Sequence, residues 1–247
     1  MNIYSILFSI IVFFTTIGGG LFAIKYRSRL GIIEAFVAGV LLAIALFELI
    51  PDSFDMANKP EINMPIKSVM YIVAIGFIFL YILERYISIH RICIKGKCEN
   101  VKDPKGGSLV AMELVISNFI DGLAIGLGFQ VNLTVGVIVG IAMIGDNFCD
   151  GINTATIMMN HENTSKSSMR MVFLDAITPI LGALSVSFFT ISDKYLVLVL
   201  PFLAGGLIYL GASDLIPEAY EKIPPLTAIV WSILGFIFMF LIVTVAG

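Results

Sequence analysis

Eight apolar runs separated by short polar connections occupy almost all of this 247-residue chain. They fall at about residues 4–24, 32–50, 66–88, 108–130, 133–158, 169–190, 195–215 and 225–246. A hydrocarbon core about 30 Å thick is crossed by about 20 residues of helix. Inside it every backbone N–H and C=O must find a partner within the protein, which only helices and closed barrels achieve. These runs are too long for barrel strands and lack their two-residue alternation. The expectation is an all-α integral membrane protein, with eight transmembrane helices in a single transmembrane domain over 1–247. With 58% hydrophobic and 13% charged residues, no stretch remains for a soluble domain or a basic nucleic-acid surface. The bilayer is the first partner, and nucleic acid is excluded. The first run has no positively charged leader and reads as helix 1 rather than as a cleaved signal peptide.

Lysine and arginine set the orientation. Loops 1–2, 3–4, 5–6 and 7–8 hold twelve of the fifteen, and only Lys59, Lys67 and Lys194 lie on the opposite face. By the positive-inside rule the richer face is cytoplasmic, so both termini lie outside, and the plasma membrane is the expected location. The loop at about 89–107 carries most of that charge and reads as a flexible cytoplasmic connection, with His90 as an interfacial side chain. Cys93 and Cys98 there read as reduced thiols; their Cys-x4-Cys spacing could hold a metal, but without a second pair or a neighbouring His the signal is weak, and three cysteines make no disulfide framework.

Two internal repeats organise the chain. The signature Asn-Phe-x-Asp-Gly occurs at 118–122 on helix 4 and again at 147–151 on helix 5, 29 positions later. Further out, Ala38-Gly39 through Glu48-Leu49-Ile50-Pro51-Asp52 resembles Ala204-Gly205 through Asp214-Leu215-Ile216-Pro217-Glu218 at a constant offset of 166. One copy ends helix 2 and the other ends helix 7, and even and odd helices run in opposite directions. Both repeats fit one pseudo-two-fold axis in the membrane plane, exchanging helices 1–3 with 6–8 and helix 4 with helix 5, an inverted 3+2+3 arrangement. Such repeats, with sites near the midplane, are a common plan of secondary transporters.

Charged residues inside a membrane are costly and usually mark ion pathways. On helix 4, Glu113, Ser117 and Asp121 form one stripe, and Asn118 lies three residues before Asp121. Helix 5 carries Asp146, Asn147 and Asp150 at the same spacings; helix 2 adds Glu48 and helix 7 adds Asp214. No Lys, Arg or His lies in the central part of these helices. The carboxylates must then be protonated, hydrated or cation-bound. A divalent cation between helices 4 and 5 would meet Asn and carboxylate oxygens from both sides, a set suited to Mn²⁺ or Mg²⁺ and acceptable to Fe²⁺ or Zn²⁺. The alternative is protonated Asp residues bonding between helices. Glu113 and Asp175 taken singly fit a structural role as well as a vestibule role. Gly122 and Gly151 let helices approach closely, and Pro51, Pro179 and Pro217 bend helices 2, 6 and 7.

These motifs together resemble the ZIP family of metal transporters over nearly the whole chain. The family's helix 4 carries His-Asn-x-x-Glu/Asp-Gly, matched by Ser117-Asn118-Phe119-Ile120-Asp121-Gly122. Its bacterial-type helix 5 carries Gln-Asp/Asn-x-Pro-Glu-Gly, matched by Asp146-Asn147-Phe148-Cys149-Asp150-Gly151, and Leu-x-Pro-Glu/Asp at helices 2 and 7 is matched at 49–52 and 215–218. The resemblance implies movement of a divalent metal toward the cytoplasm by alternating access, with the metal (Zn, Fe or Mn) as substrate and no prosthetic group. Asn118, Asp121, Asn147 and Asp150 would hold the ion, Asp146 and Glu48 would serve as stations along the path, and Ser117 stands at the position of the family's His. It also implies a homodimer. Departures bear on selectivity: Ser117 replaces the His, Thr178 replaces a Glu before Pro179, Cys149 replaces a Pro, and both Glu ligands are Asp. Loss of the imidazole removes a ligand that suits zinc. Cys149 would be a soft ligand if it faced the path, and loss of the Glu at 178 argues against a second metal position.

A transporter rather than an enzyme is therefore expected. Other readings are an intramembrane aspartyl hydrolase using Asp121 and Asp150, a transport-dead metal sensor, or proton-linked transport of another solute. Nothing resembles a nucleotide-binding loop.

Overall fold

In α1 (Ile3–Lys25) the buried residues are Ser5, Ser9, Val12, Thr16, the adjacent Gly19 and Gly20, and Ala23, otherwise three and four apart, while Ile3, Leu7 and Phe14 are exposed. A soluble helix buries its large apolar side chains. Here the small ones face the protein, as helices packed in lipid require. The structure, a computed structural model, describes residues 3–25, 30–93, 104–189 and 193–246. Among them eight helices are long and apolar enough to cross a membrane, and no strand occurs. After α1 come α2 (30–57), α3 (Ile66–Cys93), α4 (Pro104–Val131), α5 (Leu133–Asn160), α6 (Ser165–Ser187), α7 (193–222) and α8 (Pro225–Ala246). The all-α expectation holds. Of the basic connection expected at about 89–107, residues 94–103, Cys98 included, lie outside the described residues, as do the side chains of His90, Cys93 and Glu113. α4 and α5 are joined by Asn132 alone, whose Oδ1 accepts from Val135 N at 2.8 Å and caps α5.

The chain divides into two compact units. Unit 1 comprises Met1–Ser28, Ile82–Gly126 and Met143–Phe189; unit 2 comprises Arg29–Tyr81, Leu127–Ala142 and Thr190–Gly247. Within each, helices meet backbone to backbone at glycines. In unit 1 a Cβ on Gly122 of α4 would overlap the carbonyl oxygen of Pro179 on α6, and one on Gly182 would overlap that of Phe119. α1 and α5 meet in the same reciprocal way, Gly19 against Phe148 and Gly151 against Thr16. In unit 2 the pairs are Gly39 with Ser232 and Gly235 with Phe36, joining α2 to α8, then Gly76 with Phe202 and Gly205 with Val73, joining α3 to α7. Exchanging helices 1–3 with 6–8 and 4 with 5 turns the α1–α5 contact into α6–α4 and the α2–α8 contact into α7–α3. Gly39 and Gly205 are separated by the same 166 residues as the sequence repeat.

The structure corrects the ends of two helices. The apolar runs placed the ends of helices 2 and 7 near 50 and 215, with Pro51 and Pro217 bending them, yet α2 runs on to Ala57 and α7 to Lys222. The reason is a π turn before each proline, at Ala45–Leu49 and Leu210–Leu215. The Ile50 N–H reaches back five residues to the Ala45 carbonyl, and the Ile216 N–H to that of Gly211. Each wide turn absorbs one residue, and the proline then sits in the first turn of the next helical segment, where its missing N–H is tolerated. Offset by 166, positions 45–49 become 211–215, so the irregularity recurs with the repeat. Each turn carries a half-buried carboxylate, Glu48 or Asp214.

Also in unit 2, Lys222 Nζ at the end of α7 donates to Glu34 on α2 and to Glu218 at 3.0 Å. Glu34 is fully buried. Two outcomes are expected from melting curves of purified protein in detergent. Gly122→Ala and Gly151→Ala each destabilise by about 1–3 kcal/mol, because a backbone carbonyl has little freedom to yield; unchanged melting would show that these helices have slack. Lys222→Met costs about 3 kcal/mol by stranding the Glu34 charge, and adding Glu34→Gln restores much of the loss.

Candidate metal centre

Helical periodicity places Asp146, Asp150 and Thr154 on one face of α5, with Asn147 at its edge, and sets Asn118 and Asp121 one turn apart on α4. Within unit 1 the structure brings three of these residues together. One carboxylate oxygen each from Asp121, Asp146 and Asp150 lies within 4.8 Å of the others, and all three residues are buried. Two ionised carboxylates at such a distance repel by about 3–4 kcal/mol at an effective dielectric of ~20. A cation between them would turn that repulsion into attraction.

The asparagines take their orientation from neighbouring carboxylates. Asn147 Nδ2 donates to Asp121 Oδ2 at 2.9 Å. Asn118 Nδ2 donates to Asp175 Oδ1 on α6 at 2.7 Å, and Thr154 Oγ1 donates to Asp175 Oδ2 at 2.8 Å. An ionised carboxylate only accepts, so the amide nitrogens must face it and the amide oxygens point elsewhere. Asn118 Oδ1 and Asn147 Oδ1 are both buried without a hydrogen-bond donor. A buried acceptor left unmatched costs about 1–3 kcal/mol. The three clustered carboxylate oxygens are hard donors of the kind that suits a divalent cation.

The glycine contacts explain why these groups converge. Asn118 lies one turn before Gly122, and Asp175 one turn before Pro179, the residue that Gly122 touches. The close α4–α6 approach therefore brings Asn118 and Asp175 into register. On α5, Gly151 follows Asp150 and admits α1 in the same way.

Other expected site residues lie elsewhere. Ser117 is half-buried and stands outside the hydrogen-bonded network of the described residues. Glu48 belongs to the first π turn, in unit 2, whereas the carboxylate group lies wholly in unit 1. Cys149 is fully buried, and its sulfur is not part of the group formed by Asp121, Asp146 and Asp150. Thr178 turns its hydroxyl back onto the Asp175 carbonyl at 2.8 Å, so the residue standing where the family carries Glu satisfies the carbonyl that Pro179, without an N–H, leaves unmatched within the helix. Sequence reasoning passed over Thr154 and the tie between Asp175 and Asn118. The i+8 spacing of Thr154 from Asp146 was a usable signal. The pairing of residues 57 positions apart was not.

Comparison with known proteins agrees with the motifs. A family model described as ZIP zinc transporter matches residues 2–108 and 106–243. Zinc transporter zipt-7.2 of Caenorhabditis elegans is 34% identical over 42% of this chain and 24% of its own length. Metal cation symporter ZIP14 of Xenopus tropicalis is 32% identical over 43% of this chain and 23% of its own length. For metal cation symporter ZIP8 of Homo sapiens the figures are 26% identity, 51% of this chain and 28% of that protein. The matched region thus spans about a quarter of these curated relatives. Two successive family matches that together run from residue 2 to residue 243 mean that this chain belongs to the ZIP zinc transporter family.

Proposed function

We propose that this protein moves a divalent metal ion of the Zn, Fe or Mn class across a membrane toward the cytoplasm, through a site built by α4 and α5. The observation that carries the reading is the buried group of Asp121, Asp146 and Asp150, with Asn147 bonded to Asp121 and the Asn118 and Asn147 amide oxygens left without donors. Asp121, Asp150, Asn118 and Asn147 are the proposed ligands, and Asp146 joins them rather than acting as a station apart. Glu48, in its π turn, is proposed as a station along the path, and Ser117 as a position that tunes selectivity. The inverted repeat, both termini outside, and alternating access by relative movement of helix groups belong to the same proposal. The matched pattern of glycine contacts and the recurring π turns support the repeat.

The donor set favours hard cations. Carboxylate and amide oxygens alone suit Mn²⁺, whereas an imidazole draws the balance toward Zn²⁺. The hydrolase reading has less support, because Asp121 already accepts from Asn147 and a third carboxylate joins the supposed dyad.

Uptake into proteoliposomes tests the reading. Wild-type protein is expected to take up at least one of Mn²⁺, Fe²⁺ and Zn²⁺, and Asp121→Ala or Asp150→Ala to abolish uptake while the protein still elutes as a folded species. Wild-type rates from either variant would remove the site, and binding without flux would make the protein a sensor. In the same assay Ser117→His is expected to raise Zn²⁺ uptake relative to Mn²⁺ by about tenfold, on the scale of roughly 1.4 kcal/mol of differential ligation. An unchanged ranking would show that position 117 does not face the ion.

A further inference from the structure

The two Asn-Phe-x-Asp-Gly copies match Asn118 with Asn147 and Asp121 with Asp150. A symmetric site would then pair Asn147 with Asp121 and Asn118 with Asp150. The structure has the first of these bonds, but the Asn118 amide goes instead to Asp175 on α6. Aligning Gly19 of α1 with Gly182 of α6 through their reciprocal contacts puts Val12, fully buried, where α6 carries Asp175. The α6 carboxylate therefore has no counterpart on α1, and it breaks the symmetry of the centre.

We propose that Asp175 is a positioning residue. It holds the Asn118 amide nitrogen, so that Asn118 Oδ1 stays turned away from it as a ligand oxygen. The inference rests on the metal-site reading above. Three observations carry it. Asp175 is fully buried, and both its oxygens are engaged by neutral donors, Asn118 Nδ2 at 2.7 Å and Thr154 Oγ1 at 2.8 Å. Its carboxylate is not part of the group formed by Asp121, Asp146 and Asp150. The remaining acceptor of Asn118 is buried and unmatched. Thr154 is the second clamp: a carboxylate held at both oxygens cannot rotate, and so neither can the amide bound to it. Supporting residues of this kind typically change metal affinity about 10–100-fold when removed.

The test is Mn²⁺ binding by the purified full-length protein, read by electron paramagnetic resonance, alongside the KM and maximal rate of Mn²⁺ uptake. Asp175→Asn removes one acceptor and presents a donor to Asn118 or Thr154, so Mn²⁺ binding is expected to weaken about tenfold or more, with KM rising further than the maximal rate falls. Because Asp175 acts through Asn118, the same substitution in an Asn118→Ala background is expected to have less than about a twofold further effect, the sign of strong coupling. Should Asp175→Asn not fold, Thr154→Val alone and with Asn118→Ala carries the same comparison. Unchanged binding in Asp175→Asn, or an undiminished effect in the Asn118→Ala background, would overturn the positioning role while leaving the site intact. Folded wild-type protein that binds no Mn²⁺, Fe²⁺ or Zn²⁺ would bring down the metal-site reading itself, and this inference with it.

Discussion

The close approach of helix backbones at glycine is the constraint on which the rest of this structure depends. In lipid, burying a leucine against another helix offers little advantage over burying it against acyl chains, so helices gain by approaching closely enough for dispersion and polar contacts to count. At Gly122 and Gly182, and at Gly19 and Gly151, no Cβ stands between one helix and the carbonyl oxygen of the next. Because each motif glycine directly follows an aspartate, the residues that permit close packing also set the depth and direction of the carboxylates. Packing and chemistry are encoded in the same few positions.

Once the helices are that close, hydrogen-bond capacity decides what the centre looks like. Ionised carboxylates accept and cannot donate, so the asparagines bonded to them turn their amide nitrogens inward and their oxygens away. Asn147 reaches across from α5 to Asp121 on α4, and Asn118 reaches from α4 to Asp175 on α6. The consequence is a surplus of oxygen: amide oxygens without donors, next to carboxylates without a lysine or arginine in the central part of their helices. In the proposed function, a cation would supply the positive charge that the central parts of these helices do not carry.

The π turns show a different use of the same repeat. A proline in a transmembrane helix removes one donor and crowds the preceding turn. At Pro51 and Pro217 the chain answers both difficulties by widening the turn ahead of the ring, and the helix continues. The turns that result hold Glu48 and Asp214 at equivalent places in α2 and α7. Widened turns of this type occur often at functional positions.

The number, type and approximate bounds of the helices were legible in the sequence, because hydrocarbon thickness and backbone hydrogen bonding leave few choices for an apolar run of that length. So were the repeats and the shared face of Asp146 and Asp150, since spacing along a helix fixes which side chains lie together; that Asp146 joins Asp121 and Asp150 rather than standing apart came only from the packing of α4 on α5. The apolar runs stopped short of where α2 and α7 end, because a π turn that carries the helix past a proline has no signature in residue type alone. The partners of Asn118 and Asn147 were beyond the sequence as well. Which of several carboxylates an amide meets depends on the rotation and separation of helices 57 and 26 positions apart, and glycine contacts between backbones set both. Local spacing determined which polar side chains share a helix face in this protein; only the packed helices decided which of their oxygens accept hydrogen bonds and which are left without a donor.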